Sequence, residues 1–124
     1  MVRCFMVHLA RIESSDPKQM IGLKVEISRF VEEGQPNVVE CTFIDAHGQK
    51  ISIIEKVPVI SLEDLDSQSV YPQDTVIPCE VINRRLLHDS EIIEIDTKSP
   101  WGIFSVEGES LFDVLPEQLI EFKA

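Results

Sequence analysis

Three histidines, three cysteines and 22 carboxylates are the side chains of this 124-residue chain that could hold a metal, attack a carbonyl or move a proton. His8, His47 and His88 stand about 40 residues apart, so any metal or acid–base role requires the fold to gather them with carboxylates. His47 falls in a predicted hairpin loop and His88 in a polar loop, where solvent is the ordinary neighbour. Cys4, Cys41 and Cys79 are odd in number and widely spaced, without the close C-x-x-C pair of a thiolate metal site. Glu40 precedes Cys41 and Glu80 follows Cys79. Adjacent negative charge makes a thiolate scarcer, so these cysteines read as buried free thiols of a reducing cytoplasm. The chain contains no G-x-S-x-G, no P-loop and no G-x-G-x-x-G, which leaves elbow-type hydrolases, P-loop nucleotide sites and Rossmann cofactors without support. The expectation is no catalytic residue, no metal and no cofactor.

Carboxylates are the one plentiful functional group. Glu94 and Asp96 share a predicted strand face, and Glu63, Asp64 and Asp66 crowd one loop. A glycosidase pair needs two carboxylates in a cleft, usually among aromatic platforms, and the chain has one Trp and one Tyr. The 63–66 loop lacks the Gly and Glu spacing of an EF-hand. Tyr71 and Asp74 continue the acidic stretch, and an exposed Tyr among Asp and Glu suits a surface that takes Lys or Arg side chains. Trp101, after Pro100, is either core packing or a binding anchor. The candidate partner-binding residues are therefore Glu63, Asp64, Asp66, Tyr71, Asp74 and Trp101.

The charge pattern sharpens that choice. The formal net charge is −11, yet residues 1–30 carry +2 and the remainder −13, and no Lys or Arg occurs from Val57 to Asn83. Phosphate backbones need clustered Lys and Arg, and the chain offers only the pair Arg84-Arg85. Nucleic acid is excluded as the expected partner; a basic protein is favoured electrostatically. No run approaches 18 apolar residues, so no transmembrane helix is expected. The apolar start is broken by His8 and followed by Arg11 and Glu13, too short for a signal peptide.

The elements that must position these residues are strands. Ile and Val number 28, against nine Leu and three Ala, and β-branched side chains favour pleated sheets. Val2 to Leu9 predicts a first strand, and Ser14-Ser15-Asp16-Pro17 a turn. In Ile21 to Ser28 the apolar residues Ile21, Leu23, Val25 and Ile27 alternate with polar ones, which predicts an antiparallel sheet with one wet face. Val39, Cys41 and Phe43 share a face opposite Glu40 and Thr42. Asp45-Ala46-His47-Gly48 joins that strand to Lys50–Glu55 as a hairpin. Val57 to Ile60 is expected to stay extended, and Ser61 to cap one helical turn. Further strands are expected over Val76–Arg84 and Glu91–Asp96. A terminal hairpin of Trp101–Val106 and Glu109–Val114 is expected about Glu107-Gly108, and Pro116 to Phe122 predicts a short C-terminal helix. About seven to nine short strands in a single domain, 1–124, indicate an all-β or β-rich fold, a small antiparallel sandwich or partly closed barrel. A barrel is preferred because closure removes exposed edges.

The run Ile95 to Ile103, with Glu107-Gly108-Glu109 and Phe112-Asp113-Val114, resembles the end of small bacterial β proteins. Glu55-Lys56-Val57-Pro58-Val59 and Tyr71-Pro72 fit the same pattern, so the likeness runs from about Phe43 onward. It implies a bacterial origin and no particular activity. The first expectation is a non-catalytic acidic interaction protein, of the size and charge of immunity or antitoxin proteins, that binds a basic partner. The alternatives are a small-molecule-binding barrel, an enzyme whose site assembles only in three dimensions, and a structural homo-oligomer held by its oppositely charged segments.

Overall fold

The computed structural model describes residues 20–61 and 63–122. The expected strand Val2 to Leu9, Cys4, His8 and the turn at Ser14–Pro17 lie outside the described residues. Within them run β1 (Met20–Glu32), β2 (Val38–Ile44), β3 (Lys50–Lys56), a single helical turn α1 (Val57–Ile60), β4 (Gln73–Leu87), β5 (Ser90–Asp96), β6 (Leu111–Val114) and β7 (Leu119–Phe122). The strands follow the order β3-β2-β1-β4-β5-β6, with β7 paired to β1, and every pairing is antiparallel. The sheet curls into a partly closed barrel, as the sequence predicts.

Alternation in β1 sets the inside and outside of that barrel. Ile21, Leu23, Val25 and Ile27 are buried, while Lys24 and Glu26 between them are exposed. Val39, Cys41 and Phe43 continue the inner face on β2. The long β4 serves two neighbours: Gln73–Cys79 pairs with β1, and Glu80–Leu87 with β5. A register shift between Val81 and Asn83 divides the halves, and such a bulge bends a strand from one neighbour toward the next. The ends of the strand order then approach each other. Ala46 N–H donates to the Asp113 carbonyl at 2.8 Å, and Val106 N–H to the Ser52 carbonyl at 2.9 Å. Phe43 of β2 meets Phe112 of β6 edge to face, ring centres 5.4 Å apart.

Side chains fill the interior. Leu23, Ile27, Val39, Ile53, Ile77, Ile93, Ile95, Ile103, Val114 and Leu119 are each less than 2% exposed. Burying one such Ile or Leu contributes about 1.5–3 kcal/mol relative to leaving it in water. No helix among the described residues is long and apolar enough to cross a membrane.

Three local expectations change. Val57–Ile60 turns as a helix instead of running extended. Val57 and Ile60, three apart, are both buried, and Pro58 sits in the first turn, where its missing N–H is not needed. Ser61 ends that turn by donating its N–H to the Val57 carbonyl at 2.9 Å and does not begin one. At the other end, helix is confined to a 3-10 turn over Pro116–Gln118, and Leu119–Phe122 is strand. The reason is tertiary: β2 pairs with β1 only from Glu26 onward, so the same edge of β1 at Met20–Leu23 stands open, and β7 occupies it. Finally, Trp101–Val106 forms no strand. Its backbone bonds go to separate partners, Ile103 N–H to Thr97, Ser105 N–H to Glu109 and Val106 N–H to Ser52. The turn itself is as expected, with Gly108 at φ 86°, a conformation that glycine adopts freely.

Candidate functional site

The acidic loop between α1 and β4 is knitted to the barrel. Thr75 Oγ1 donates to the Ile60 carbonyl at 2.6 Å, and Tyr71 Oη to the Asp66 carbonyl at 2.8 Å. Asp66 Oδ1 accepts the Gln68 N–H at 2.9 Å, and Ser61 Oγ the Glu63 N–H at 3.1 Å. Leu65 is buried and anchors the middle of the loop. Its carbonyl accepts from Asn37 Nδ2 at 3.0 Å, and the Asn37 carbonyl accepts the Val57 N–H at 2.9 Å. Glu63, Asp64 and Asp66 point to solvent around this anchor. Tyr71 differs from the expected exposed ring: it is half-buried against the core, with its hydroxyl committed to the loop.

These bonds bring a second acidic segment to the same end of the barrel. Glu32, the last residue of β1, and Glu33, which follows it, are exposed, and a cleft of about 270 Å³ separates Gly34–Asn37 from Val57, Pro58, Asp64 and Leu65. The cations that the ladder places toward this end are Lys56, opposite Val38, and Arg29, whose guanidinium is paired with Glu40. Sequence distance hides this grouping, because the segments that carry Glu33 and Glu63 are joined through the hydrogen bond from Asn37 to Leu65. Trp101 belongs to a different connection, the turn that leaves β5, and is 44% exposed.

Asp74, the last residue of the predicted set in the acidic stretch, stands at the start of β4 on the outer face of the sheet. There it borders a groove of about 960 Å³ that crosses β4, β1, β2 and the start of β3. Its floor includes Lys24, Glu26, Ser28 and Thr42, and Gln118 and Ile120 form one wall. Gln118 Nε2 donates to the Ile44 carbonyl at 2.8 Å, which ties that wall to the end of β2. Ser28 Oγ and Thr42 Oγ1 lie 2.6 Å apart. Nothing in the spacing of these residues advertises a groove; it follows from β7 being laid on β1.

A third arrangement lies at the closing side of the barrel and escapes sequence reasoning altogether. His47 Nε2 is 2.8 Å from Asp113 Oδ2, and Arg85 reaches the same carboxylate with two nitrogens, at 2.6 and 3.2 Å. Arg85's hydrogen bond, aided by His47, holds the Asp113 carboxyl below the ordinary carboxylate range, against the effect of burial. The turn that presents His47 is built by Asp45, whose Oδ1 accepts the N–H groups of His47 and Gln49, both at 2.9 Å. The cleft beside it is lined by Asp45, Gln49, Ile51, Glu94, Glu109, Leu111 and Phe112. None of these lining residues is a Ser, Thr, Cys or Lys. The cluster acts as a clasp joining β4, β6 and the β2–β3 turn. Among the described residues no group of three or more His, Cys, Asp or Glu could hold a metal ion.

The two described cysteines face inward. Burial, reinforced by Glu55 and Glu40, pushes the Cys41 thiol up to about 12, and burial with Asp96 does the same to Cys79. Both are free, and at neutral pH neither supplies a thiolate.

Comparison with protein-family models, curated proteins and solved structures found no match.

Proposed function

We propose that this chain is a non-catalytic interaction module that holds a basic protein partner at its acidic end, the role an immunity or antitoxin protein plays toward its toxin. One observation carries the reading: Glu32 and Glu33 stand at the same end as Glu63, Asp64 and Asp66, on a loop pinned by Leu65 and Asn37. A surface with an excess of one charge sign speeds the encounter with an oppositely charged protein by about 10- to 1,000-fold. It also costs little ordering on binding, because the loop is already bonded to the barrel.

The test is capture of the partner from the source cell on the immobilised protein, followed by association kinetics with the purified partner. The triple variant Glu63→Lys, Asp64→Lys, Asp66→Lys is expected to slow association about tenfold or more at low salt. That difference is expected to shrink as salt rises and the screening length falls from about 30 Å toward about 3 Å. A captured protein that is not basic, or association indifferent to both salt and the triple substitution, overturns the reading. Tyr71 is left intact because its ring packs on the core.

A further inference from the structure

The groove on the outer face of the sheet has a charge order that the acidic end does not explain. Glu26 on β1 stands directly opposite Asp74 on β4, and on its other side opposite Thr42 of β2. Residues opposed in this way share a face, with Cβ atoms about 4.5–5.5 Å apart. Two exposed carboxylates are thus set side by side, and among the described residues neither has a hydrogen-bond or ion-pair partner. Such opposition between like charges destabilises a sheet. Two residues back along β1, on the same face, is Lys24, about 6.8 Å from Glu26 by strand geometry. Exposed or partly exposed apolar side chains flank the rows, with Val76 opposite Lys24, and Ile44 and Ile120 also lining the groove.

We propose that the groove receives an extended segment of a partner protein carrying a Lys or Arg and, two residues along, an Asp or Glu. An extended chain presents alternate side chains to one side at the same repeat of about 6.8 Å. Its cation lies between Glu26 and Asp74 and removes their mutual repulsion, while its carboxylate reaches Lys24. The intervening side chain points away, and apolar neighbours cover Ile44, Val76 and Ile120. The groove is open to solvent, so a compact zwitterion would leave most of its own surface uncovered, whereas an extended chain running along β1 reaches Lys24, Glu26 and the apolar side chains beside them. The inference rests on reading the chain as a binding module, but it concerns a second contact area with a different rule of recognition.

The experiment uses the full chain and a capped, fluorescein-labelled peptide, Thr-Arg-Val-Glu-Thr, followed by fluorescence polarisation. Saturable binding is expected, weakened about tenfold by the double variant Glu26→Lys, Asp74→Lys. It is expected to be unchanged in the triple variant of the acidic loop. A control peptide with Arg and Glu adjacent, whose side chains then point to opposite sides, is expected to bind about tenfold more weakly. The variant Lys24→Glu is expected to transfer preference to Thr-Arg-Val-Arg-Thr. The substituted side chains are exposed, and unchanged melting and circular dichroism verify folding. A second double variant, Glu26→Gln with Asp74→Asn, gives the same loss without introducing new charge. Equal binding of the two arrangements, no binding, or equal displacement by a mixture of free arginine and glutamate overturns the inference. Loss of peptide binding in the loop variant instead of the groove variant does so too. Partner capture that depends on Glu63, Asp64 and Asp66 is unaffected by any of these failures, so the two readings fail separately.

Discussion

Asp113 Oδ2 meets both His47 Nε2 and Arg85 Nη2, and His47 lies 66 residues away in the chain. The same residue's carbonyl accepts the Ala46 N–H. One residue of β6 therefore binds the β2–β3 turn through side chain and backbone together, at the place where the barrel closes. Its carboxylate is lowered chiefly by Arg85, which fixes the sign of a pH effect. A carboxyl depressed in the folded state contributes stability above its unfolded value, near 3.9, and loses it as pH falls through its lower folded value.

Asp113→Asn is accordingly expected to lower stability at pH 7 by about 1 kcal/mol. The difference from the parent chain should narrow below about pH 4, as the parent's own carboxylate is protonated. Urea unfolding at pH 7, 5 and 3 checks this. A gap that is constant across the series would show that the clasp contributes nothing electrostatic.

Cys41 and Cys79 are expected to resist modification in the folded protein. In a Cys4→Ser background, a thiol reagent at pH 8 should react with neither until denaturant is added, when both should react within the mixing time of the assay. Rapid labelling of the native chain would contradict burial of the two thiols, each pushed to about 12.

The β4–β5 hairpin turns on His88 and Asp89, whose φ angles are 52° and 68°. Two positive φ values in succession mark a turn that favours Asn-Gly, and side chains there cost stability. Replacing the pair by Asn and Gly is expected to stabilise the protein by about 1 kcal/mol. A thermal melt reads the change, and a lower melting temperature would mean that His88 or Asp89 makes a contact worth more than the backbone gains.

Leu119 couples packing to the groove. It is fully buried opposite Leu23, and the next residue, Ile120, stands in the groove wall. Leu119→Ala is expected to cost about 2–5 kcal/mol. It should also raise hydrogen exchange at Gly22 and Ile120, which face each other across β1 and β7. Exchange confined to β7 would show that β1 does not depend on this strand.

Much of the barrel was legible in local patterns. The alternation over Ile21–Ser28 and over Val39–Phe43 names the buried face correctly because side-chain direction in a strand is a property of the backbone alone. The same local rules fail where a neighbour decides. Pro116–Phe122 carries a helical spacing of apolar residues, yet the open edge of β1 draws Leu119–Phe122 into the sheet. Val57–Ile60 reads as a continued strand, yet burial of residues three apart closes it into a helical turn. The acidic loop was visible as composition, while its junction with Glu32 and Glu33 was not.

By itself, the order of residues determined an Ile- and Val-built antiparallel sheet, its inward face, several of its turns and its excess of negative charge, since these depend on neighbours within a few positions. Only the tertiary structure decided that Glu26 opposes Asp74, that His47 reaches Asp113, and that two distant acidic segments share one end. Cross-strand neighbours are set by register and by which edges remain open, and those depend on every other strand in the sheet.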